Sequence, residues 1–249
     1  MNIIVPIKQV PDLVEELEIA SSGKALDTEW LKYKVNEFDD HALEEALLQK
    51  EDHDGTVIAI ALDGEDIDKA LYAAAAKGAD RVIKVTGVGD NPSSHEAARA
   101  MANVIKGMDY DVIFTGVQAV DDRDGQMAVL LAHYLGLPHV SVVTGVEVSG
   151  NAATVHKEYS GGVIAEFEVQ FPAVLGIQTA RETPRYVPVA RVRRAMSSTT
   201  LEEISGGEVN ASAGTEVKRM FKPVSGQGAQ MLSGSADDIA AKIVSLIKG

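Results

Sequence analysis

Residues 56–85 read TVIAIALDGEDIDKALYAAAAKGADRVIKV, and this stretch decides the fold class. Thr56 to Leu62 is a continuous apolar run short enough for a strand buried on both faces. Residues 66–77 are rich in alanine, the best helix former, and stop at Gly78, a natural C-terminal stop. Residues 81–85 return to an apolar run. Strand, helix and strand within about 30 residues form one βαβ unit.

The unit repeats outward in both directions. Residues 2–7, Asn-Ile-Ile-Val-Pro-Ile, predict a buried strand in which Pro6 marks a bulge or the strand end. Residues 11–35 are acidic and irregular, and read as a loop. Phe38, Ala42, Leu43, Ala46 and Leu47 recur at helical spacing between Phe38 and Glu51, behind the helix-starting pair Asp39–Asp40. Ser93 and Glu96 form a capping box for a helix with Ala97, Met101, Val104 and Ile105 inward. Residues 111–115 predict a fourth strand, followed by a polar loop at 116–124 and a helix with Met127, Leu130, Leu131, Tyr134 and Leu135 on one face. Strands alternating with helices imply a doubly wound α/β sheet, mostly parallel, with ligands at the carboxyl ends of its strands. After Pro138 the pattern changes. Segments 140–148, 152–159 and 163–171, separated by Gly150-Asn151 and Gly161-Gly162, predict an antiparallel meander that extends the sheet, with Ala165, Phe167, Val169 and Phe171 on its covered face. A further apolar strand is expected at 173–177. This gives one α/β domain over 1–196 and, over 197–249, an extended arm tipped by an amphipathic helix at 236–247 capped by Ser235. Such an arm either docks on a partner or folds back on its own domain.

Composition narrows the function. The 249 residues carry 37 acidic and 23 Lys plus Arg side chains, a net charge of −14. That is a poor basis for nonspecific nucleic-acid binding, which needs cations to displace phosphate counterions. No cysteine is present, which excludes disulfides, thiolate metal sites and cysteine nucleophiles, and makes a reducing cytoplasm the default compartment. No apolar run reaches membrane-spanning length, and the first residues lack the pattern of a signal peptide.

Standard catalytic motifs fail. Gly87-Val-Gly89 begins a dinucleotide fingerprint, but Pro92 stands where its third glycine belongs. His95-Glu96 lacks the second histidine of a zinc site, and Val120 and Leu131 occupy the end ligand positions of a calcium loop. The loop from Gly116 through Ala128 is more informative. It leaves a parallel strand and enters a helix, where free backbone N–H groups favour anions. Gly125 permits close backbone approach, and Asp121 can accept a ribose hydroxyl or hold the loop. Position and spacing alone favour a plain crossover loop with Asp124 as helix cap. Arg181 to Arg194 holds five arginines, at 181, 185, 191, 193 and 194, with Tyr186 and Pro188 among them. Arginine beside aromatic and apolar residues suits a protein interface; a solvated loop is the alternative.

These residues together resemble the beta subunit of electron-transfer flavoproteins. The shared pieces are Val5-Pro-Ile-Lys-Gln-Val-Pro-Asp12, Asn36-Glu-Phe-Asp39, Ala76-Lys-Gly-Ala-Asp-Arg81, Gly116-Val-Gln-Ala-Val-Asp121, Lys157-Glu158 with Gly161-Gly162 and Pro172-Ala-Val174, and Glu182-Thr-Pro-Arg-Tyr186. Their order over most of the chain carries the likeness. The resemblance implies an alpha–beta heterodimer, an FAD held mainly by the alpha subunit, and an electron carrier with no catalysis of its own. It implies an adenine nucleotide in this subunit at Pro6, Asn36, Asp39, Ala61, Leu62, Gln118, Ala119, Val120, Asp121, Gly125, Gln126, Met127 and Ala128. Leu13 matches a position near the alpha-subunit flavin, and Glu158 a carboxylate that meets the mobile flavin domain. The segment with Arg185, Tyr186, Val189 and Arg191 matches the partner-recognition loop, with Val189 as its apolar anchor. Ordinary members bind AMP, and electron-bifurcating members place a second FAD there. The loop here keeps Asp121 and Gln126 of the bifurcating pattern but lacks its Thr, Gly and Pro, which favours AMP. The usual electron donors are dehydrogenases of fatty acid oxidation, although Arg193-Arg194-Ala-Met replaces the usual lysine run. A stand-alone nucleotide-binding or ATP-cleaving protein on the same scaffold is the alternative of another class.

Overall fold

The computed structural model describes residues 1–89, 92–209, 216–224, 226 and 228–248. The chain forms two compact units: residues 1–18 with 27–216, and residues 19–26 with 217–249.

The first unit is built on a nine-stranded sheet. Its strands are β1 (Asn2–Pro6), β4 (Thr56–Leu62), β5 (Arg81–Thr86), β6 (Val112–Gly116), β7 (His139–Ser149), β8 (Ala152–Tyr159), β9 (Val163–Gln170), β10 (Ala173–Ile177) and β11 (Leu201–Ser205), in the order β11-β5-β4-β1-β6-β10-β7-β8-β9. A separate antiparallel pair, β2 (Gln9–Pro11) and β3 (Tyr33–Val35), closes the two ends of the stretch 11–35 that the sequence predicts as a loop, with β3 inside it. β11 through β10 run parallel to their neighbours, as does the β10–β7 pair; β7–β8–β9 form the expected antiparallel meander. β10 does not follow the meander outward. It returns between β6 and β7.

Alternation along the strands sorts the core into two layers. Ile3, Val5, Val57, Ala59, Val112 and Phe114 pack with Ala42, Leu43, Ala46 and Leu47 of α1 (Glu37–His53) and Ile67, Ala70, Leu71 and Ala74 of α2 (Ile67–Lys77). Ile4, Ile58, Ile60, Ile83 and Ile113 face Met101, Val104 and Ile105 of α3 (Ser94–Ile105) and Ala128, Leu131 and Ala132 of α4 (Met127–Leu135). The capping box of α3 is formed as expected, with Glu96 accepting from the Ser93 N–H at 2.9 Å. Gly78 ends α2 at φ 135°, its N–H donating to Ala74 and Ala75.

Two elements replace expected irregular chain. α5 (Val189–Ser198) occupies the predicted recognition loop, with Pro188 at its cap position and Val189, Val192, Ala195 and Met196 at helical spacing. β11 falls inside the predicted arm and joins β5 in parallel. Its register depends on distant partners: Arg81 grips Glu202 with two bonds of 2.8 Å, and Lys84 meets Glu203 at 2.9 Å. Local sequence cannot announce such pairs. The meander also departs from expectation at its rim, where Phe167 is exposed and only Val169 and Phe171 of the predicted stripe are buried.

The second unit contains the Ile19–Leu26 bridge, the Met220 N–H donating to Gly23 at 2.7 Å, and α6 (Ala236–Lys248). Ser235 caps α6 as the sequence predicts, its hydroxyl exchanging hydrogen bonds with Asp238. No residue of α6 is buried. Among the described residues, no helix is long and apolar enough to cross a membrane.

Candidate functional site

The sheet changes direction at β1. β4 follows it in sequence and lies on one side, whereas β6 lies on the other. Ligands of doubly wound folds bind at the carboxyl ends of strands beside such a switch point. Here Pro6 opens the crevice. β1 pairs with β4 along its whole length, but with β6 only at Ile3 and Ile4. Ile7 donates its N–H to Ile60 of β4 at 2.8 Å. By alternation, the Pro6 nitrogen faces β6 and has no hydrogen to give. Pro6 thus ends the β1–β6 ladder, as its position in the sequence suggests.

Three segments meet at this opening. The Asn36 side chain donates to the Gln118 carbonyl at 2.8 Å, tying the start of α1 to the loop after β6. Asp39, buried in the first turn of α1, accepts from the Lys8 backbone N–H at 2.8 Å. It also receives the Gly116 N–H and the Asn36 side chain. Lys8 reaches across to the loop, its Nζ lying 2.9 Å from Asp121 and 2.8 Å from Asp122. Ala61 and Leu62 continue β4 one and two residues past Ile60, the partner of Pro6. So Asn36, Asp39, Gln118 and Asp121 are tied together through Lys8 and Asn36 beside Pro6 at the carboxyl end of β1, while Ala61 and Leu62 follow on β4, with Ala61 fully buried.

The far end of the loop leads into α4. Gln126 occupies the cap position and makes no side-chain cap bond. Asp124, a candidate cap by sequence, instead accepts from the Ser94 hydroxyl of α3 at 2.7 Å. The first N–H groups of α4 at Met127 and Ala128 therefore have no side-chain acceptor from the cap. Gly125 stands at φ +64°, where a side chain would be strained and would press on the Val117 carbonyl. Sequence reading misses two residues here. Lys8 appears only as part of a motif, and Thr115 only as strand. Thr115 is 1% exposed, and its hydroxyl has no partner among the described residues. Small apolar residues, unpaired helix N–H groups and an orphan hydroxyl are a donor set that fits an adenine nucleotide.

The electrostatics of the opening centre on two groups. Burial pushes the Asp39 carboxyl up, to about 7, against the pull of Asn36, Lys8 and Gly116. Lys8 stays above its ordinary value: burial lowers it, but Asp122 and Asp121 raise it more. The Asp39 shift has a consequence for stability. Between about pH 4 and 7 the unfolded chain releases this proton while the folded chain keeps it. Its contribution is full below about pH 4 and is lost as pH rises through 7. Asp39→Asn freezes the uncharged form. The stability of the variant relative to wild type is expected to rise by roughly 4 kcal/mol between pH 4 and 8. Urea midpoints across that range measure it; a flat difference overturns the assignment.

The residues matched to partner contact lie elsewhere. Glu158 is exposed on β8, beside the exposed rim residues Tyr159 and Ile164. Leu13 is exposed in the segment after β2. Tyr186 and Val189 are 84% and 63% exposed, and Arg191 is exposed on the first turn of α5. Arg185 turns inward. Its N–H and Nε both donate to Glu44 at 2.9 Å, and its Nη1 donates to Glu51 at 2.8 Å. Beside it, the Arg181 N–H donates to Glu45 at 3.1 Å.

The crevice at the switch point places the chain among doubly wound α/β proteins of the ligand-binding class. Comparison with known proteins is more specific. The family model for the electron transfer flavoprotein domain matches residues 25–205. The electron transfer flavoprotein subunit beta of Methylophilus methylotrophus is 33% identical over 260 residues, covering 99% of this chain and 98% of the relative. That of Clostridium acetobutylicum is 32% identical over 261 residues, covering 100% and 98%. The caffeyl-CoA reductase-Etf complex subunit CarD of Acetobacterium woodii is 28% identical over 260 residues, with 100% and 98% covered. The chain belongs to the electron transfer flavoprotein family and aligns with its beta subunits over its whole length.

Proposed function

We propose that this chain is the beta subunit of a cytoplasmic alpha–beta electron carrier and holds an AMP at the β1–β6 opening. The supporting observation is the Asn36–Gln118 bond, which ties the loop of residues 118–128 to α1 at the switch point. In this reading Pro6, Ala61 and Leu62 line the base, and the N–H groups at Met127 and Ala128 meet the phosphate. When bound by the heterodimer, FAD supplies the redox chemistry. This chain supplies placement: Leu13 and Glu158 face the flavin-bearing partner, and exposed Tyr186, Val189 and Arg191 receive dehydrogenases. The missing Thr, Gly and Pro of the bifurcating loop favour AMP. A second FAD at the same opening is the other reading, supported by Asp121 and Gln126, which the loop shares with the bifurcating pattern.

Quantifying nucleotides released from the purified heterodimer tests this. One FAD and one AMP per heterodimer is the expected result. Two FAD and no AMP would replace AMP by a second flavin. No stable complex and no flavin, with ATP cleaved by the chain alone, would overturn the carrier reading.

A further inference from the structure

The loop proposed to hold a phosphate is acidic. Asp121, Asp122 and Asp124 fall within four residues, with Arg123 among them. Left to themselves, these carboxylates would repel a phosphate dianion. The structure disposes of them unequally. Asp124 is turned to the Ser94 hydroxyl. Asp121 and Asp122 converge on one ammonium, that of Lys8, at 2.9 and 2.8 Å.

Lys8 is anchored where this requires. It follows Pro6 by two residues, just past the end of β1. Its N–H donates to Asp39 at 2.8 Å, and its carbonyl accepts from the Asn36 N–H at 2.9 Å. Both backbone groups are thus held by the start of α1. Asp122 is also held from its own loop, its second oxygen accepting the Asp124 N–H at 3.0 Å. Lys8 therefore joins the end of β1 to both α1 and the loop, and offsets part of the negative charge that would otherwise repel the ligand.

We propose that Lys8 is a specificity-determining residue: by clasping Asp121 and Asp122, it lets an acidic loop accept a phosphorylated adenosine and prefer it to adenosine itself. This inference rests on the nucleotide reading of the site. It concerns charge and not shape, so it separates ligands that differ only in the phosphate.

Calorimetric titration of the nucleotide-depleted full chain, with AMP and with adenosine as probes, tests it. Lys8→Met leaves two carboxylates uncompensated, and AMP affinity is expected to fall by about tenfold or more at low salt, while adenosine affinity stays within about twofold. Adding Asp121→Asn and Asp122→Asn to Lys8→Met is expected to restore AMP binding. Should Lys8→Met fail to fold, Asp121→Asn with Asp122→Asn alone carries the test, with AMP gaining severalfold over adenosine. Equal loss of AMP and adenosine in Lys8→Met reveals a merely structural lysine and overturns the inference, as does unchanged AMP binding in either variant. A wild-type chain that binds neither probe overturns the nucleotide reading itself, and the inference falls with it.

Discussion

Gly116→Ala is expected to destabilise the protein by about 3 kcal/mol and, with it, to empty the proposed nucleotide site. Gly116 ends β6, buried, with α1 starting directly against it. A Cβ there would overlap Asp39 Oδ1 and lie 2.8 Å from both the Asp39 nitrogen and the Phe38 carbonyl carbon. Two of these neighbours are main-chain atoms in the first turn of a helix, so no side-chain rotation relieves the contact. Either α1 or β6 must shift. A shift of α1 moves Asn36 and Asp39, which grip Gln118 and Lys8. Stability and nucleotide retention therefore fall together. Urea unfolding and nucleotide content of the purified variant measure the two effects. A variant of wild-type stability would show that the approach of α1 to β6 is looser than the structure has it.

Glu44→Ala is expected to cost about 3 kcal/mol and to release residues 181–188 from the domain. Glu44 is only 2% exposed, a burial that a carboxylate tolerates only with partners in place. Its partners are the Arg185 N–H and guanidinium, including a 2.8 Å contact from Nη2. Removing Glu44 leaves a backbone donor unpaired and the guanidinium with Glu51 alone. Glu44→Gln keeps one acceptor and is expected to lose less. Hydrogen exchange locates the effect: amides at 181–188 speed up in Glu44→Ala, while those of β1, β4 and β6 hold. Unchanged protection at 181–188 would show that Glu44 does not pin this segment. The result bears on the proposed recognition, because Arg185 spends its charge inside the chain and leaves exposed Tyr186, Val189 and Arg191 for the proposed partner contact.

The central βαβ units were legible because their cause is local. Strands buried on both faces must be apolar runs, helices must carry an apolar stripe, and Ser93–Glu96 and Gly78 state where helices start and stop. The opening itself was half legible. Pro6 signals a ladder that ends early, and the 118–128 loop lies where strand passes into helix. What the sequence could not state is which side chains cross between segments far apart in the chain. Lys8 meets Asp121 and Asp122 across more than a hundred residues, and Arg185 meets Glu44 across a similar gap. β11 is hidden for the same reason, since its partner strand β5, which brings Arg81 to Glu202 and Lys84 to Glu203, lies more than a hundred residues away. α5 is hidden by its arginines, which interrupt the spacing of Val189, Val192, Ala195 and Met196, of which only Ala195 is buried. The sequence by itself determined the alternation of elements and the two layers of the core, because burial acts on each residue's own chemistry. Only the tertiary structure decided the direction of the charges: which arginine turns inward, and which lysine quiets an acidic loop. Those choices depend on distances that arise once β1, α1 and β6 are packed together.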